Sequence, residues 1–162
     1  KGDKYVDWVA GISANILGHC HLHVVKAIQD QSKKLIHVSN AFIIKEAESL
    51  AKRLTDNTFA DKVFFCNSGA ESVEGSIKIV RKYFHTIGKP EKNRIISMSG
   101  AFHGRTLAAL FLANNKSHTE GFGPKVEGFD QVAFADHEGL KKAINKIGYK
   151  RSQNKHFFAK VC

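Results

Sequence analysis

The first sixty residues alternate apolar and polar positions in ways that predict one short strand and two helices. Residues 5–9 alternate as a strand does, and residues 11–18, with turn-forming residues at both ends, predict a loop. Apolar residues then recur at helical spacing in two stretches, so both helices are expected to lie at the surface with one buried face. Their apolar positions are Val24, Ala27, Ile28 and Leu35 in the first helix, and Ala47, Leu50, Ala51 and Leu54 in the second.

From residue 62 onward, short apolar runs alternate with helices, which is typical of βαβ units and a parallel sheet. The predicted strands are residues 63–66, 94–98 and 132–134. The helix after the first strand should end near Gly88 and Pro90, which both stop helices. Its buried face is formed by Val73, Ile77, Val80 and Phe84.

The second strand leads through a glycine-bearing loop, residues 99–104, into an apolar helix at residues 106–113. A turn-rich stretch, residues 114–128, separates this helix from the third strand. Asp136 is a good N-cap for a last amphipathic helix. Its apolar side is formed by Leu140, Ala143, Ile144 and Ile147.

These patterns divide the chain into three parts. Residues 1–61 form an N-terminal segment, residues 62–147 form part of an α/β domain, and residues 148–162 form a basic tail without helical or strand periodicity. The tail is expected to be disordered or not to belong to the fold.

The net charge of +10 raises the question of a nucleic-acid or anionic-membrane partner, but its distribution argues against both. Residues 146–162 carry five basic side chains and no acidic one, so the rest of the chain is only mildly basic. We find no nucleic-acid-binding motif and no apolar run long enough to span a membrane. Cys20, Cys66 and Cys162 lack C-x-x-C spacing, which favours a reducing compartment, with the cytoplasm as the default.

The junction of the first predicted strand and its helix carries the stretch Asn67-Ser68-Gly69-Ala70-Glu71. Ser68 and Glu71 have the spacing of a capping box, in which each side chain satisfies a backbone N–H at the helix start. This interpretation needs no ligand. A small-residue turn at the positive end of a helix is also a ready site for a phosphate group.

A second stretch, Phe102-His103-Gly104-Arg105-Thr106, follows the second predicted strand. Ligands of open parallel sheets bind beyond the carboxyl ends of the strands, so this loop and the Ser68 turn can share one crevice. There an aromatic ring can cover a flat cofactor, and an arginine can clamp a carboxylate. The alternative is structural: a core Phe102, a hydrogen-bonding His103 and a surface ion pair at Arg105.

Taken together, these stretches resemble the class III aminotransferases. Gly121-Phe-Gly-Pro124, Gly128-Phe129 and Asp136 follow them in the order of that family, and Tyr5-Val-Asp-Trp8 and Gly18-His19 resemble its N-terminal region. The resemblance covers about residues 5–144. Within the family, the acetylornithine and ornithine aminotransferases are the best fit.

The resemblance implies an α/β fold, as the parallel-sheet part of the large domain of a fold-type I transferase that depends on pyridoxal 5'-phosphate. It further implies that Ser68, Gly69 and Ala70 bind the phosphate, that Phe102 stacks on the pyridine ring, and that Arg105 holds the substrate carboxylate. His103 belongs to the cofactor motif without an assigned chemical role. The implied enzyme is a homodimer that transfers an amino group from acetylornithine or ornithine to 2-oxoglutarate, in arginine biosynthesis.

Two departures from the family pattern stand out. Ala70 occupies a position where the family usually has Thr, so one hydroxyl is missing from the phosphate turn. The Schiff-base lysine of the family lies farther along a much longer chain, and no lysine here has a matching context. We therefore expect this chain to be part of a longer enzyme and to be inactive alone.

Four further interpretations follow from the sequence. A non-catalytic phosphate- or nucleotide-binding module would use the same helix start, and within the family a 4-aminobutyrate or succinylornithine aminotransferase shares these stretches. His19-Cys-His-Leu-His23 has ligand-type residues without the separated pairs of a zinc site, so no metal is expected. Cys66 is expected to be a small core residue at the end of a buried strand.

Overall fold

The computed structural model describes residues 2–146; the predicted basic tail and Ile147 lie outside the described residues. The chain divides into two units, Lys1–Val63 and Phe64–Cys162, which are described separately. The elements of the first unit are α1 (Ala10–Ser13), α2 (Leu22–Ser32) and α3 (Lys45–Asn57). Those of the second are α4 (Gly69–Thr86), β1 (Ile95–Met98), α5 (Leu107–Ala113), α6 (Lys116–Thr119), β2 (Phe129–Val132) and α7 (His137–Lys146).

The strand predicted at residues 5–9 was wrong, because Asp7 redirects the backbone there. Its carboxylate accepts hydrogen bonds from the N–H groups of Val9 and Ala10, both at 2.9 Å. A side chain that takes neighbouring amides in this way competes with the hydrogen bonds of a sheet. The chain enters α1 instead, where all four residues have positive φ angles, between 48° and 63°.

Helices α2 and α3 form where the periodicity predicts them, but the predicted buried faces were wrong. Neither helix has a buried residue, and Ile28 is 63% exposed. Leu35 lies beyond the end of α2, with its N–H bonded to the carbonyl of Gln31. An apolar stripe is buried only when another element covers it, and the described part of this unit provides no such element.

The helix α4 confirms the predicted amphipathic helix and its end. Val73 and Ile77 are buried, and the helix ends at Thr86, just before Gly88. Gly88 has a φ of +71°, the left-handed conformation that commonly follows a helix. The last helix, α7, is confirmed as well, because the Asp136 carboxylate accepts the N–H of Gly139 at 2.8 Å.

Two parallel strands form the described sheet, with Ile95 opposite Phe129 and Met98 opposite Val132. β1 matches its prediction, but the third predicted strand, at residues 132–134, was placed three residues too late. The strand ends at Val132 because the Ala133 carbonyl accepts a turn hydrogen bond from Asp136, which leads into α7. Phe134 is accordingly 83% exposed.

The strand predicted at residues 63–66 does not form, although its residues are apolar. Within the described residues, no neighbouring strand provides these backbone groups with hydrogen bonds. Phe64 is 73% exposed, and Cys66 is exposed rather than part of the core, which corrects that prediction. A strand requires a paired neighbour, and apolar composition alone does not supply one.

The core of the second unit lies between α4, α5 and the two strands. α5 is the most deeply buried element, with four consecutive buried residues, because it packs against α4 and the sheet. The side chain of Ser97 on β1 donates to the carbonyl of Leu112 at 2.6 Å, so its buried hydroxyl is satisfied. The residues of the core cluster are Val73, Ile77, Ala109, Phe111, Leu112 and Phe129.

Candidate functional site

The start of α4 is capped by side chains from both directions. Ser68, in an extended conformation, accepts the N–H of Glu71 on its hydroxyl at 3.2 Å. The Glu71 carboxylate accepts the N–H of Asn67 at 2.6 Å, one residue earlier than the N–H that a capping box usually satisfies. The backbone of Ser68 also hydrogen-bonds the Glu71 carboxylate, so the predicted capping box forms and extends to Asn67.

Two consecutive amides at this helix start have no hydrogen-bond acceptor among residues 2–146. They belong to Gly69 and Ala70, which the sequence predicts to bind phosphate together with Ser68. They lie at the positive end of an 18-residue helix, where backbone N–H groups and the helix dipole favour an anion. This arrangement fits the phosphate group of pyridoxal 5'-phosphate, since it needs no side-chain hydroxyl at Ala70.

Glu71 contributes a negative charge close to these amides. Hydrogen bonds from Asn67 lower the pKa of the Glu71 carboxyl below its ordinary value, so the group is ionised at neutral pH. Both of its oxygens accept from Asn67, at 2.6 and 3.3 Å. The carboxylate is thus engaged on the side of the chain that precedes the helix, while the amides of Gly69 and Ala70 stay available.

The loop after β1 lies directly against this helix start. A Cβ placed on Gly104 would be only 2.6 Å from the Cβ of Ala70. Two residues further on, the Thr106 hydroxyl donates to the Glu74 carboxylate of α4 at 2.5 Å. The structure therefore brings together the two stretches that the sequence placed in one crevice.

Phe102 and Arg105 lie on this loop with their side chains in solvent. Phe102 is 64% exposed, which rules out the core role offered as its structural alternative. The guanidinium carbon of Arg105 lies 5.5 Å from the centroid of the Phe102 ring, and within the described residues Arg105 forms no ion pair. An exposed ring and a guanidinium without an ion-pair partner among the described residues are available to a ligand at this edge of the sheet.

His103 faces inward between these two residues. Both of its ring nitrogens are enclosed and lack a hydrogen-bond partner within residues 2–146, so it does not act as the loop donor of the structural alternative. Burial lowers the pKa of its imidazole below the ordinary value of 6.5, which keeps the ring uncharged at neutral pH.

A cavity of about 240 Å³ opens beside this loop at the carboxyl end of β1. Its lining includes Phe102 and Gly104 from the loop, with Asn114, His118 and Gln131. Ser68, Gly69 and Ala70 do not line it. The candidate anion site is therefore an open surface at the helix start, separate from this cavity.

The remaining candidate residues are the histidine-rich stretch and Cys66. His19 lies 2.7 Å from the Asp7 carboxylate, and residues 2–146 contain no cluster of three or more potential metal ligands. The Cys66 thiol contacts the carbonyl of Ser68 at 3.5 Å. The helices among these residues are all too short or too polar to cross a membrane.

Sequence reasoning did not single out Gly104, Thr106 or Glu74, which join the loop to the helix. Gly104 and Thr106 stand inside the quoted motif, so the signal was present, but their role depends on residues more than thirty positions earlier. The positive φ of Gly104, 113°, is a second signal that only the structure reveals.

The second unit thus defines a class: a parallel α/β unit with open amides at a helix start and an exposed aromatic loop close to them. The family model of the class-III aminotransferases matches residues 1–156. The chain belongs to this family, whose members depend on pyridoxal phosphate. The match extends beyond residue 144, where the resemblance noted in the sequence ended.

Similar proteins agree with this assignment. Acetylornithine aminotransferase of Agrobacterium fabrum is 56% identical over 144 residues, 89% of this chain and 36% of the relative. The enzyme of that name from Brucella melitensis is 52% identical over 143 residues, 88% of this chain and 36% of the relative. The chain therefore spans about a third of the length of these relatives.

Solved structures confirm the fold class. Ornithine aminotransferase of Toxoplasma gondii matches with a TM-score of 0.83 and 28% identity, over 89% of this chain and 35% of that protein. An omega-transaminase of Thermomicrobium roseum matches with a TM-score of 0.80 and 28% identity, over 89% and 37%. A further structure of the Toxoplasma enzyme has partial occupancy of pyridoxal phosphate at its active site.

Proposed function

We propose that this chain carries the phosphate- and ring-binding elements of an acetylornithine or ornithine aminotransferase. The observation that carries the proposal is the close approach of Gly104 to Ala70, which brings an exposed aromatic loop to a helix start with two open amides. A phosphate joined to a flat ring is a ligand that both features suit. The reaction transfers an amino group to 2-oxoglutarate, as in arginine biosynthesis.

Each site residue has a distinct part in this proposal. The open N–H groups of Gly69 and Ala70 hold the phosphate together with Ser68, and Phe102 covers one face of the pyridine ring. Arg105 binds the carboxylate of the amino-acid substrate through its planar guanidinium. The uncharged His103 fills the space behind the ring-binding loop. The bound cofactor supplies the electron sink for the reaction.

The amino donor is assigned by similarity. The relatives at 52–56% identity are named for acetylornithine, and the Toxoplasma structure is named for ornithine. We propose acetylornithine as the donor because the sequence identity to those relatives is much higher. 4-Aminobutyrate and succinylornithine remain the alternatives within the family.

Catalysis belongs to a longer parent protein in this proposal. The chain spans about 36% of the length of its relatives, and no lysine in it has the context of the family's cofactor-bonding lysine. We propose that residues 1–162 alone bind the cofactor without transaminating. Purified chain should therefore show no semialdehyde product with acetylornithine and 2-oxoglutarate; measurable product would overturn this point.

We propose that the parent enzyme is a cytoplasmic homodimer and that the N-terminal unit packs against the partner subunit. Many large apolar side chains of this unit are exposed, including Trp8 at 91% and Phe59 at 98%. Exposed apolar surface of this extent is typical of an interface. A monodisperse monomer of the full-length parent in light scattering would contradict this proposal.

A titration tests the cofactor assignment against the rival phosphate- or nucleotide-binding module. The 162-residue chain is titrated with pyridoxal phosphate, with pyridoxal and with ATP, and the dissociation constants are compared. The proposal predicts that pyridoxal phosphate binds most tightly. Pyridoxal lacks the phosphate group, and ATP does not carry its aromatic ring next to its phosphates. Equal affinity for ATP and pyridoxal phosphate would favour the rival.

A further inference from the structure

Gly104 lies where the ring-binding loop closely approaches the start of α4, the helix proposed to bind the phosphate. A Cβ at this position would lie 2.6 Å from the Cβ of Ala70 and 3.0 Å from its Cα. At either distance the loop or the helix would have to shift. The Cα is a backbone atom, so it cannot move aside as a flexible side chain can. The loop and the helix can therefore approach this closely only because residue 104 has no side chain.

Other glycines with positive φ have no such constraint. Gly100 in the same loop has a φ of +78° and Gly121 a φ of +80°, and a Cβ on either would meet nothing within 4 Å. Backbone conformation accounts for glycine at those two positions. Gly104, with a φ of +113°, has the additional steric reason.

A polar contact closes the same junction from the other end of the loop. The Thr106 hydroxyl donates to the Glu74 carboxylate, which lies one helical turn beyond Ala70 on α4. Arg105 lies between these two contacts, and Phe102 lies two residues before Gly104. The positions of both binding side chains are thus set by how closely the loop meets the helix.

We propose that Gly104 is a positioning residue, whose lack of a side chain lets residues 99–106 close onto the start of α4. The inference rests on the proposed function, since it assigns the closed loop to ring and substrate binding. Gly104 itself touches neither ligand. A side chain there lifts the loop, and with it Phe102, away from the amides that hold the phosphate.

The test compares four variants of the 162-residue chain with the unaltered protein. Gly104→Ala introduces the clash, and Ala70→Gly/Gly104→Ala removes the Cβ that it meets. Gly121→Ala is the matched control, because it places alanine at a positive φ in open space. Single Ala70→Gly completes a double-mutant cycle that isolates the contact from backbone strain.

The affinities for pyridoxal phosphate and for inorganic phosphate distinguish a positioning role of Gly104 from a general loss of structure. Gly104→Ala should weaken pyridoxal phosphate binding about tenfold, while the affinity for inorganic phosphate, which needs only the amides, should change less than about twofold. The double variant should recover part of the loss, because the approach to the Cα of residue 70 remains, and Gly121→Ala should bind like the unaltered protein. Equal losses for both ligands, or no recovery in the double variant, would overturn the proposal.

Hydrogen exchange tests the contact without any cofactor. Gly104→Ala should speed exchange in peptides covering residues 99–106 and 68–72, and the double variant should restore it. Unchanged exchange would overturn the proposal even if cofactor binding fell. If the unaltered chain binds no pyridoxal phosphate, but Gly104→Ala still speeds exchange and the double variant restores it, the proposed function is wrong and the contact between loop and helix is supported.

Thr106→Val provides a second variant should Gly104→Ala fold poorly. It removes the hydroxyl that bonds Glu74 without adding volume, so it loosens the same junction more gently. We expect faster exchange in the same two peptides, to a smaller extent. Exchange in Thr106→Val that matches the unaltered protein would contradict the proposed closure.

Discussion

The two units of the chain use their apolar residues in opposite ways. All buried apolar side chains among residues 2–146 lie in the second unit, where α4, α5 and the strands cover one another. The first unit has two amphipathic helices, yet buries none of their residues. Helical periodicity therefore predicts which face of a helix is apolar, while its burial depends on what else is present to cover it.

This difference explains where the candidate site lies. The core around Val73 and Ala109 holds α4 and α5 in place, and the loop between β1 and α5 is anchored at both ends by that core. A site built on such elements keeps its geometry, because the residues that present it are fixed by packing. The N-terminal unit, in contrast, leaves the apolar faces of its helices exposed.

The largest expected effect comes from truncating the core. Phe111→Ala should lower the free energy of unfolding by about 3–5 kcal/mol, because this side chain is only 5% exposed and its loss leaves a cavity. The matched change Phe42→Ala, at a residue 65% exposed in the first unit, should cost less than about 1 kcal/mol. Urea unfolding measures both free energies of unfolding. Equal losses in the two variants would contradict the difference in burial between the two units.

A smaller effect is expected for the ring-binding loop. Phe102→Ala should weaken pyridoxal phosphate binding by about 1–3 kcal/mol through loss of ring stacking and buried area, with little change in stability. Phe134→Ala is the control, since that ring is also exposed but lies outside the loop. Fluorescence or absorbance titration gives the affinities. An unchanged affinity of Phe102→Ala for pyridoxal phosphate would show that the Phe102 ring does not contribute to binding.

Helix capping sharpens the comparison further. At the start of α4 the side chain of the N-cap residue Ser68 accepts a backbone N–H. His21, the N-cap residue of α2, forms no such hydrogen bond. Ser68→Ala should therefore cost about 1 kcal/mol of stability. His21→Ala should cost clearly less, as thermal unfolding of the two variants can show. If His21→Ala lost as much stability as Ser68→Ala, the side-chain cap at Ser68 would not explain the effect.

The smallest effect concerns acid sensitivity. Burial lowers the pKa of His103 in the folded chain, so the unfolded state binds a proton more readily. Stability from the neutral ring is present above about pH 6.5 and falls as the pH drops below that value. Between pH 7 and 5 the melting temperature should decrease less in His103→Phe than in the unaltered chain.

That pH window separates His103 from Glu71, whose lowered pKa acts at more acidic pH. The stability contributed by Glu71 is present above its ordinary pKa of 4.5 and is lost as the pH falls further. An identical decrease in His103→Phe and the unaltered chain between pH 7 and 5 would contradict the role assigned to the buried ring.

Local pattern was sufficient to predict much of the second unit. The spacing of Val73 and Ile77 gave the buried face of α4, and Asp136 gave the start of α7. The failures arose where a distant or competing partner decides the outcome. Residues 63–66 have strand composition without a paired neighbour, and at residues 5–9 the Asp7 carboxylate takes the amides that a strand would need.

The candidate site shows the same division. The sequence indicated Ser68, Phe102 and Arg105 because each stands in a recognisable motif. It could not reveal the contact of Gly104 with Ala70, which joins positions 34 residues apart, nor that the Glu71 carboxylate reaches back to the amide of Asn67. Such contacts depend on how two segments approach in space, which no local periodicity encodes.

Amide chemical shifts test most directly whether the start of α4 holds the cofactor phosphate. A nitrogen–proton correlation spectrum of the 162-residue chain is recorded during titration with pyridoxal phosphate, with the N–H of Gly139 at the start of α7 as the internal control. We predict saturable shifts at Ser68, Gly69 and Ala70, with little change at Gly139. Saturable shifts elsewhere, with these three amides unmoved, would contradict the assignment.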